Sequence, residues 1–257
     1  MTNDRVRPKE RIVYDELQPC PYLAGRKARL PIRWPERLLT RHEFELRLAA
    51  GDRRTGPFLY RTHCPGCVAC EAIRIPIADF QPRATQRRVL RKGNELLTFS
   101  VGEPQVDRER VQLYNRHKNL RGLAQPDQPA HENEESYSAF LVDTCCETLE
   151  LTYRHADRLI AVAIVDRGSD SLSAVYTYFE PSFRGVSLGA YSILRQVELC
   201  REWNLGRLYL GYYVAECIHM SYKSLYCPHE RLIGGVWRKV TEPPPRLGMN
   251  EDDADGR

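Results

Sequence analysis

Short stretches in which apolar residues occupy every second position alternate, along this chain, with longer stretches in which they recur every three or four residues. The first pattern predicts strands and the second helices, so the chain reads as a mixed α/β protein. Ile73, Ile75 and Ile77 predict a strand over 71–77, and Pro76 within it predicts a sheet edge. A further strand is expected over 96–101. Residues 149–153, 159–165 and 173–179 predict three consecutive strands, the last two joined by a hairpin turn at 166–171. Residues 208–212 predict another.

Helical spacing fills the intervals. Thr40 and Glu43 have the capping-box spacing and open a helix through Phe44, Leu46 and Leu48 to Gly51. A helix is expected over 83–92, another capped by Asp107 and running past Val111 and Tyr114, and another over 132–142. Arg184 to Gly189 opens a helix of Tyr191, Leu194, Val197, Glu198 and Arg201, with Cys200 in its core face. Residues 122–129 read as a loop. A boundary near residue 104 divides the chain into a mobile arm (1–16), an N-terminal α+β domain (17–104), a C-terminal domain with a largely antiparallel sheet (105–240) and a disordered tail (241–257). The tail is expected to be disordered because it is Pro-rich and then acidic.

Hydrophobic content of 42% and charged content of 28% over 257 residues are those of a globular protein with a proper core. A net charge of +4 permits a nucleic-acid partner without requiring one. The first residues lack an apolar run, and no window approaches the roughly 18 apolar residues of a membrane span. A cytoplasmic location with no membrane partner is therefore expected. In that setting nine cysteines point to thiols, a metal or a cluster rather than a disulfide framework.

Three features carry candidate chemistry. Cys64, Cys67 and Cys70 recur at a spacing of three around Pro65-Gly66, a metal-knuckle pattern, and Cys20 could supply a fourth thiolate from a distant loop. Zinc and an iron–sulfur cluster both suit four thiolates. Arg83, Arg87 and Arg91 fall at i, i+4 and i+8 of one helix, a cationic stripe for which phosphate is the natural partner, equally readable as a solvated basic face. Finally, 211–223 crowds Tyr212, Tyr213, Tyr222, Glu216, Cys217, His219 and Lys223 at the end of a strand, where open α/β sheets place ligands. A strand followed by an amphipathic helix with Met220 and Tyr222 in the core is the plainer alternative.

Antiparallel strands, then Arg-x-x-Ser-x-Gly at a helix start, then a further strand, resemble the acetyltransferase-type (GNAT) fold, in which that loop cradles an anion at the helix N-terminus. Ser187 stands at the loop's middle glycine position. Motifs in order along the chain extend the resemblance. They are Cys-Pro-Tyr-Leu-x-Gly-Arg at 20–26, Tyr60-Arg61-x-x-Cys64-x-x-Cys67-x-x-Cys70 and Gln86-Arg87-Arg88-Val89-Leu90-Arg91. Ser187-Leu188-Gly189-x-Tyr191, Tyr209-Leu210-Gly211-Tyr212-Tyr213 and Met220-x-Tyr222-Lys223 follow. Together they resemble the arginyl- and leucyl-tRNA–protein transferases of the N-degron pathway over about residues 15–238, and the knuckle resembles the bacterial, leucine-moving branch. Ala24, Glu180 and His219 stand where that family usually has proline, aspartate and lysine.

The resemblance implies an enzyme that moves leucine, or arginine, from aminoacyl-tRNA to the α-amine of proteins beginning with Asp or Glu, marking them for degradation. The donor ester is already activated, so no cofactor is required for the transfer itself. Ser187, Gly189, Tyr222 and Lys223 are the expected catalytic groups. Arg26, Arg61, Arg87, Arg88, Tyr212, Tyr213 and His219 are the expected substrate-binding groups, and Cys20, Cys64, Cys67 and Cys70 the expected ligands of zinc or a cluster. Two other functions fit the same residues: a coenzyme-A-dependent acyltransferase, and a non-catalytic metal-knuckle module that binds RNA.

Overall fold

A computed structural model describes residues 8–124 and 129–243. Its centre is an eight-stranded sheet in the order β14-β13-β7-β12-β11-β10-β9-β8. These strands are β7 (Glu71–Pro76), β8 (Thr98–Gly102), β9 (Thr148–His155), β10 (Arg158–Arg167), β11 (Ser171–Phe179), β12 (Arg207–Tyr213), β13 (His229–Ile233) and β14 (Val236–Val240). All neighbours are antiparallel except β11 and β12, which run parallel across the crossover helix α5 (Leu188–Glu202). This is the mixed, largely antiparallel sheet that the GNAT resemblance implies; the parallel setting of β12 beside β11 was not predicted.

β10 lies in the middle of the sheet with neighbours on both sides, and its residues 159–166 are buried without alternation, as a strand covered on both faces requires. On one face, α5 and α2 (Ala84–Leu96) pack over a core that includes Ile73, Ile75, Tyr153, Tyr191, Leu208 and Leu210. Gly93 of α2 admits the Tyr191 ring so closely that a Cβ there would lie 2.2 Å from it. On the other face, α3 (Arg108–Leu120), α4 (Glu134–Tyr137) and the π-turn 138–142 cover Leu159, Val162, Ile164 and Tyr178. The Asp107 side chain caps α3 by accepting from Arg110 N, as expected.

A second sheet, β1-β4-β6-β5, is built from β1 (Glu10–Tyr14), β4 (Ile32–Pro35), β5 (Arg53–Thr55) and β6 (Phe58–Tyr60). With α1 (Arg41–Ala49) it packs on Tyr209 and Trp237, on the face of the main sheet away from α5. The capping box of Thr40 and Glu43 is formed, and it opens α1. A ribbon of β2 (Leu17–Pro19) and β3 (Lys27–Arg29) carries the 20–26 loop.

Several expectations are corrected. Residues 10–14, expected in a mobile arm, form β1 and pair with β4. β7 is not an edge strand: it lies between β12 and β13, and Pro76 is simply its last residue. Strands from both sides of residue 104 share the main sheet, because β7 and β8 precede it. Tyr222 is 41% exposed rather than packed in a core. Of the tail, 244–257 lies outside the described residues, as do 1–7 of the arm and 125–128 of the predicted loop.

Candidate active site

β12 is the strand on which the site is built. It hydrogen-bonds with β11 only along Ser171–Ser173, after which the two parallel strands diverge. Residues 174–177 of β11 are consequently only half-buried in the middle of an eight-stranded sheet. α5 runs back against these strands, so its N-terminus, the C-terminal end of β11 and the C-terminal end of β12 all lie at one end of the sheet. On its other side β12 pairs with β7 across an irregularity between Tyr209 and Tyr212. Gly211 holds that bulge with φ of +81°, in the left-handed region that favours glycine. The bulge inverts the alternation, so Tyr209 and Tyr212 both face the second sheet and α1.

Beyond Val214 the chain turns through α6 (Ile218–Ser221) and a 3-10 turn at Tyr222–Leu225, which folds Lys223 back under the end of the strand. Lys223 Nζ donates to the Tyr212 carbonyl at 2.7 Å and lies 3.3 Å from Met220 Sδ. Burial and then the nearby Arg53 guanidinium push its pKa down to about 7. Near neutral pH this lysine therefore spends much of its time as a free amine, whose two N–H groups face the carbonyl and the thioether and whose lone pair is left over.

Arg53 on β5 faces Lys223 across the bulge. Its Nη2 donates to the Gly211 carbonyl at 3.1 Å and its Nη1 to the Asp52 carbonyl at 2.5 Å. The guanidinium lies 5.3 Å from the Tyr212 ring centroid and 5.5 Å from that of Tyr209. It is 4% exposed, its Nε has no hydrogen-bond partner, and no carboxylate is within ion-pair distance among the described residues. Asp52 next to it is fully buried and already holds Arg33 at 2.6 Å and Arg61 at 2.8 Å. Tyr22, Tyr60 and Tyr212 close the site. Tyr212 donates to the Gly51 carbonyl at 3.0 Å, and Tyr60 meets it edge-on with ring centroids 6.1 Å apart. Burial pushes all three phenols up, and the neighbouring Tyr60 adds to this at Tyr22 and Tyr212.

The four expected ligand thiols share one neighbourhood beside these tyrosines. Burial and then the Cys64, Cys20, Cys67 and Cys217 thiols push Cys70 up to about 12. Backbone N–H groups of Leu23 and Arg29 donate to Cys20 and Cys64, both at 3.4 Å, and Arg26 Nη1 donates to Cys67 at 3.5 Å. The donor chemistry suits zinc or an iron–sulfur cluster, yet no three His, Cys, Asp or Glu side chains among the described residues are arranged to hold a metal ion.

The predicted residues divide accordingly. Lys223 and Tyr212 meet at the site, and the Cys20 and Cys70 side chains pack with Tyr22, Cys217 and Met220 beside it. Ser187 and Gly189 lie at the α5 N-terminus, at the same end of the sheet but without a hydrogen bond to Lys223 or Tyr222. Ser187 occupies the N-cap without using its hydroxyl as a cap, which leaves first-turn N–H groups open. Arg61 is committed to Asp52, Arg26 and His219 are exposed, and Tyr213 turns to the α5 core beneath Arg231. Arg87 and Arg88 are exposed on α2. Within the stripe, Arg91 pairs with Glu95 at 3.9 Å, whereas Arg83, Arg87, Arg88 and Lys92 meet no carboxylate among the described residues. The α2 N-terminus adjoins the site, since Gln86 Nε2 reaches the Leu225 carbonyl at 3.5 Å and Phe80 packs on Tyr226.

Arg53, Asp52 and Tyr22 were not predicted. The only available signal was the unbroken polar run Asp52-Arg53-Arg54 beside a helix end, all of it buried. Arg54 is accounted for by a buried ion pair with Asp166 at 2.8 Å, which leaves Arg53 as the cation without an acid.

Residues 18–88 match the family described as arginine-tRNA-protein transferase, N terminus, and residues 109–233 match its C terminus. An aspartate/glutamate leucyltransferase of Thiobacillus denitrificans is 36% identical over 225 residues, 86% of this chain and 91% of that protein. One of Halorhodospira halophila is 39% identical over 225 residues, 85% of this chain and 92% of that protein. Among solved structures, L-PGS from Bacillus licheniformis is similar with a TM-score of 0.48 and 12% identity, over 74% of this chain and 66% of that chain. No helix among the described residues is long and apolar enough to cross a membrane. The chain belongs to the arginine-tRNA–protein transferase family, and it is an aminoacyl-tRNA–protein transferase.

Proposed function

We propose that this member of the family moves leucine from leucyl-tRNA onto the α-amine of cytoplasmic proteins whose first residue is Asp or Glu, marking them for degradation. The leucine preference follows the relatives, which are named aspartate/glutamate leucyltransferases. The observation that carries the site assignment is the buried Lys223 amine, with a pKa of about 7, at the end of β12 where β11 has turned away.

The reaction exchanges an ester for an amide. The acceptor's α-amine attacks the carbonyl carbon of the leucyl ester on the tRNA's terminal ribose, the new C–N bond forms, and the C–O bond to the ribose breaks. An α-ammonium of pKa ~7.7–8.0 must first lose a proton, and the Lys223 amine accepts it. The protonated Lys223 then returns that proton toward the departing ribose oxygen, and the second proton, lost by the attacking nitrogen once the C–N bond has formed, passes to water. Negative charge on the tetrahedral carbonyl oxygen is met by first-turn N–H groups of α5 at Leu188 and Gly189, which the uncapped Ser187 leaves open. The phenol of Tyr222, exposed beside Lys223, offers a further donor. The basic face of α2 takes the tRNA backbone, with Arg87 and Arg88 as phosphate contacts. The thiols of Cys20, Cys64, Cys67 and Cys70 would hold zinc or a cluster after closing up around it, in a structural role.

Parallel assays with leucyl- and arginyl-tRNA, each supplied with a peptide beginning in Asp, test this reading. Label should pass from leucyl-tRNA to the peptide. Transfer from arginyl-tRNA alone would reverse the donor assignment, and transfer from neither would remove the function.

A further inference from the structure

We propose that Arg53 is the residue that reads the acidic side chain of the acceptor, receiving its carboxylate at the free Nε beside Tyr212 and Lys223. The inference rests on the transferase reading above and specifies its acceptor subsite.

An acidic first residue needs a cation that is not already neutralised. Arg61 is spent on Asp52, Arg26 points at a thiol, and Arg88 lies in solvent on α2. Lys223, drawn down to about 7, carries only part of a positive charge near neutral pH and already donates to the Tyr212 carbonyl. Arg53 is left: buried, with no carboxylate partner among the described residues and with a free Nε. A guanidinium removed from water without an acid costs several kcal/mol, and two tyrosine faces and two carbonyls offset only part of that. A carboxylate arriving at Nε would offset the rest, which is the arrangement expected of a cation kept for a ligand.

The position suits an amino acid bearing an α-amine and an acid. Arg53 bonds the Gly211 carbonyl and Lys223 bonds the next one, that of Tyr212, so the two groups are set one residue apart, ~3.8 Å between Cα atoms. Asp and Glu separate their nitrogen and carboxylate by a comparable span. The α-amine then lies at Lys223 while the acid lies at Arg53. Exposure is also graded along the sheet that carries Arg53. Register pairs Tyr14 with Ile32, Ile32 with Tyr60 and Tyr60 with Arg53, so these four share one face of the second sheet. Along that row exposure falls from 40% at Tyr14, through the half-buried Ile32 and Tyr60, to 4% at Arg53. Arg53 thus stands at the buried end of a row whose other end meets solvent.

The test measures kcat/KM for leucyl transfer to peptides that differ only in a first residue of Asp or Asn, using wild type, Arg53→Met and Arg53→Lys. Arg53→Met should lower the Asp value by roughly 10² to 10³-fold more than the Asn value, mostly through KM, so that the Asp preference collapses; the effect on Lys223, whose pKa the guanidinium helps to lower, falls on both peptides alike. Arg53→Lys should retain part of the preference. Leucyl-tRNA retention on filters should be the same in all three. An Asp-to-Asn ratio in Arg53→Met equal to that of wild type would overturn the assignment. Should the variants fail to fold, a crystal structure of the wild type with Asp-Ala amide decides: the side-chain carboxylate at Arg53 supports the assignment, and a carboxylate elsewhere overturns it. Absence of transfer by wild type to any peptide would strike the transferase reading itself, while the crystal still reports on Arg53.

Discussion

Replacing Lys223 with methionine is expected to stabilise the protein and abolish transfer together. The ammonium form carries the cost, because burial and the Arg53 guanidinium draw its pKa from 10.5 to about 7. At about 1.4 kcal/mol per tenfold in proton affinity, this opposes the native state by about 5 kcal/mol below pH 7. Between pH 7 and pH 10.5 the unfolded chain keeps a proton here that the native chain has released. Native stability therefore climbs with pH across that window, and the opposition is fullest below it. From pH 6 to pH 9 the wild type should gain about 2–3 kcal/mol relative to Lys223→Met through this one group. Methionine fills the space of the lysine stem beside Met220 but leaves the Tyr212 carbonyl without its donor, which takes back about 1–2 kcal/mol. Net stabilisation of roughly 2–4 kcal/mol is then expected at pH 6, shrinking toward zero by pH 9. Urea unfolding of both proteins at pH 6, 7.5 and 9, at fixed ionic strength, measures the difference. Histidines that are buried neutral, such as His117 and His229, both pushed down to about 4, titrate alike in the two proteins and cancel. In parallel, wild-type kcat/KM should rise with pH through an apparent pKa near 7 while the variant stays inactive. Unfolding curves that keep a constant separation across pH, or a variant that transfers leucine within tenfold of wild type, would refute the reasoning.

Four further outcomes follow from the same structure. Gly93→Ala forces a Cβ to within 2.2 Å of the Tyr191 ring and should cost about 1–3 kcal/mol, read as a lower Tm without a change in the pH profile of transfer. Asp52→Asn leaves Arg33 and Arg61 without their shared acid, and denaturant unfolding should show a loss of about 2–4 kcal/mol. The double change Arg87→Ala and Arg88→Ala should weaken tRNA binding and flatten its dependence on salt by about 1–2 in log–log slope, with peptide KM unmoved. Anaerobically purified wild type should carry zinc or iron that Cys67→Ser loses; equal metal content in the two would show that the thiols serve as packing alone.

Local signals in the chain identified the elements whose stability is local. The Thr40–Glu43 box and the Asp107 cap satisfy helix N–H groups within four residues, so spacing alone reveals them. The three-stranded meander 148–179 shows itself because its strands alternate or run apolar for eight or more residues. Lys27–Arg29 and Arg53–Thr55 are three residues long and mostly basic, so nothing in their composition distinguishes them from loop. β13 and β14 likewise passed unseen, since charged residues occupy much of both. β7 illustrates the same limit in reverse: its alternation was legible, but its central position depends on partners some 130 to 160 residues away in sequence.

By itself the sequence determined that strand 208–212 ends in a cluster of tyrosines with a lysine eleven residues beyond Tyr212, that thiols are presented on two loops, and that the family motifs stand in order. Tertiary structure alone decided what those groups are chemically. A pKa near 7 for Lys223 arises from solvent exclusion by α6 and the second sheet, and from a guanidinium 170 positions earlier in the chain. The availability of Arg53 arises because Asp166 claims Arg54 while Asp52 is taken by Arg33 and Arg61. Desolvation and Coulomb interaction depend on everything within several ångströms, whatever its place in the sequence, whereas periodicity records only what lies within a few residues.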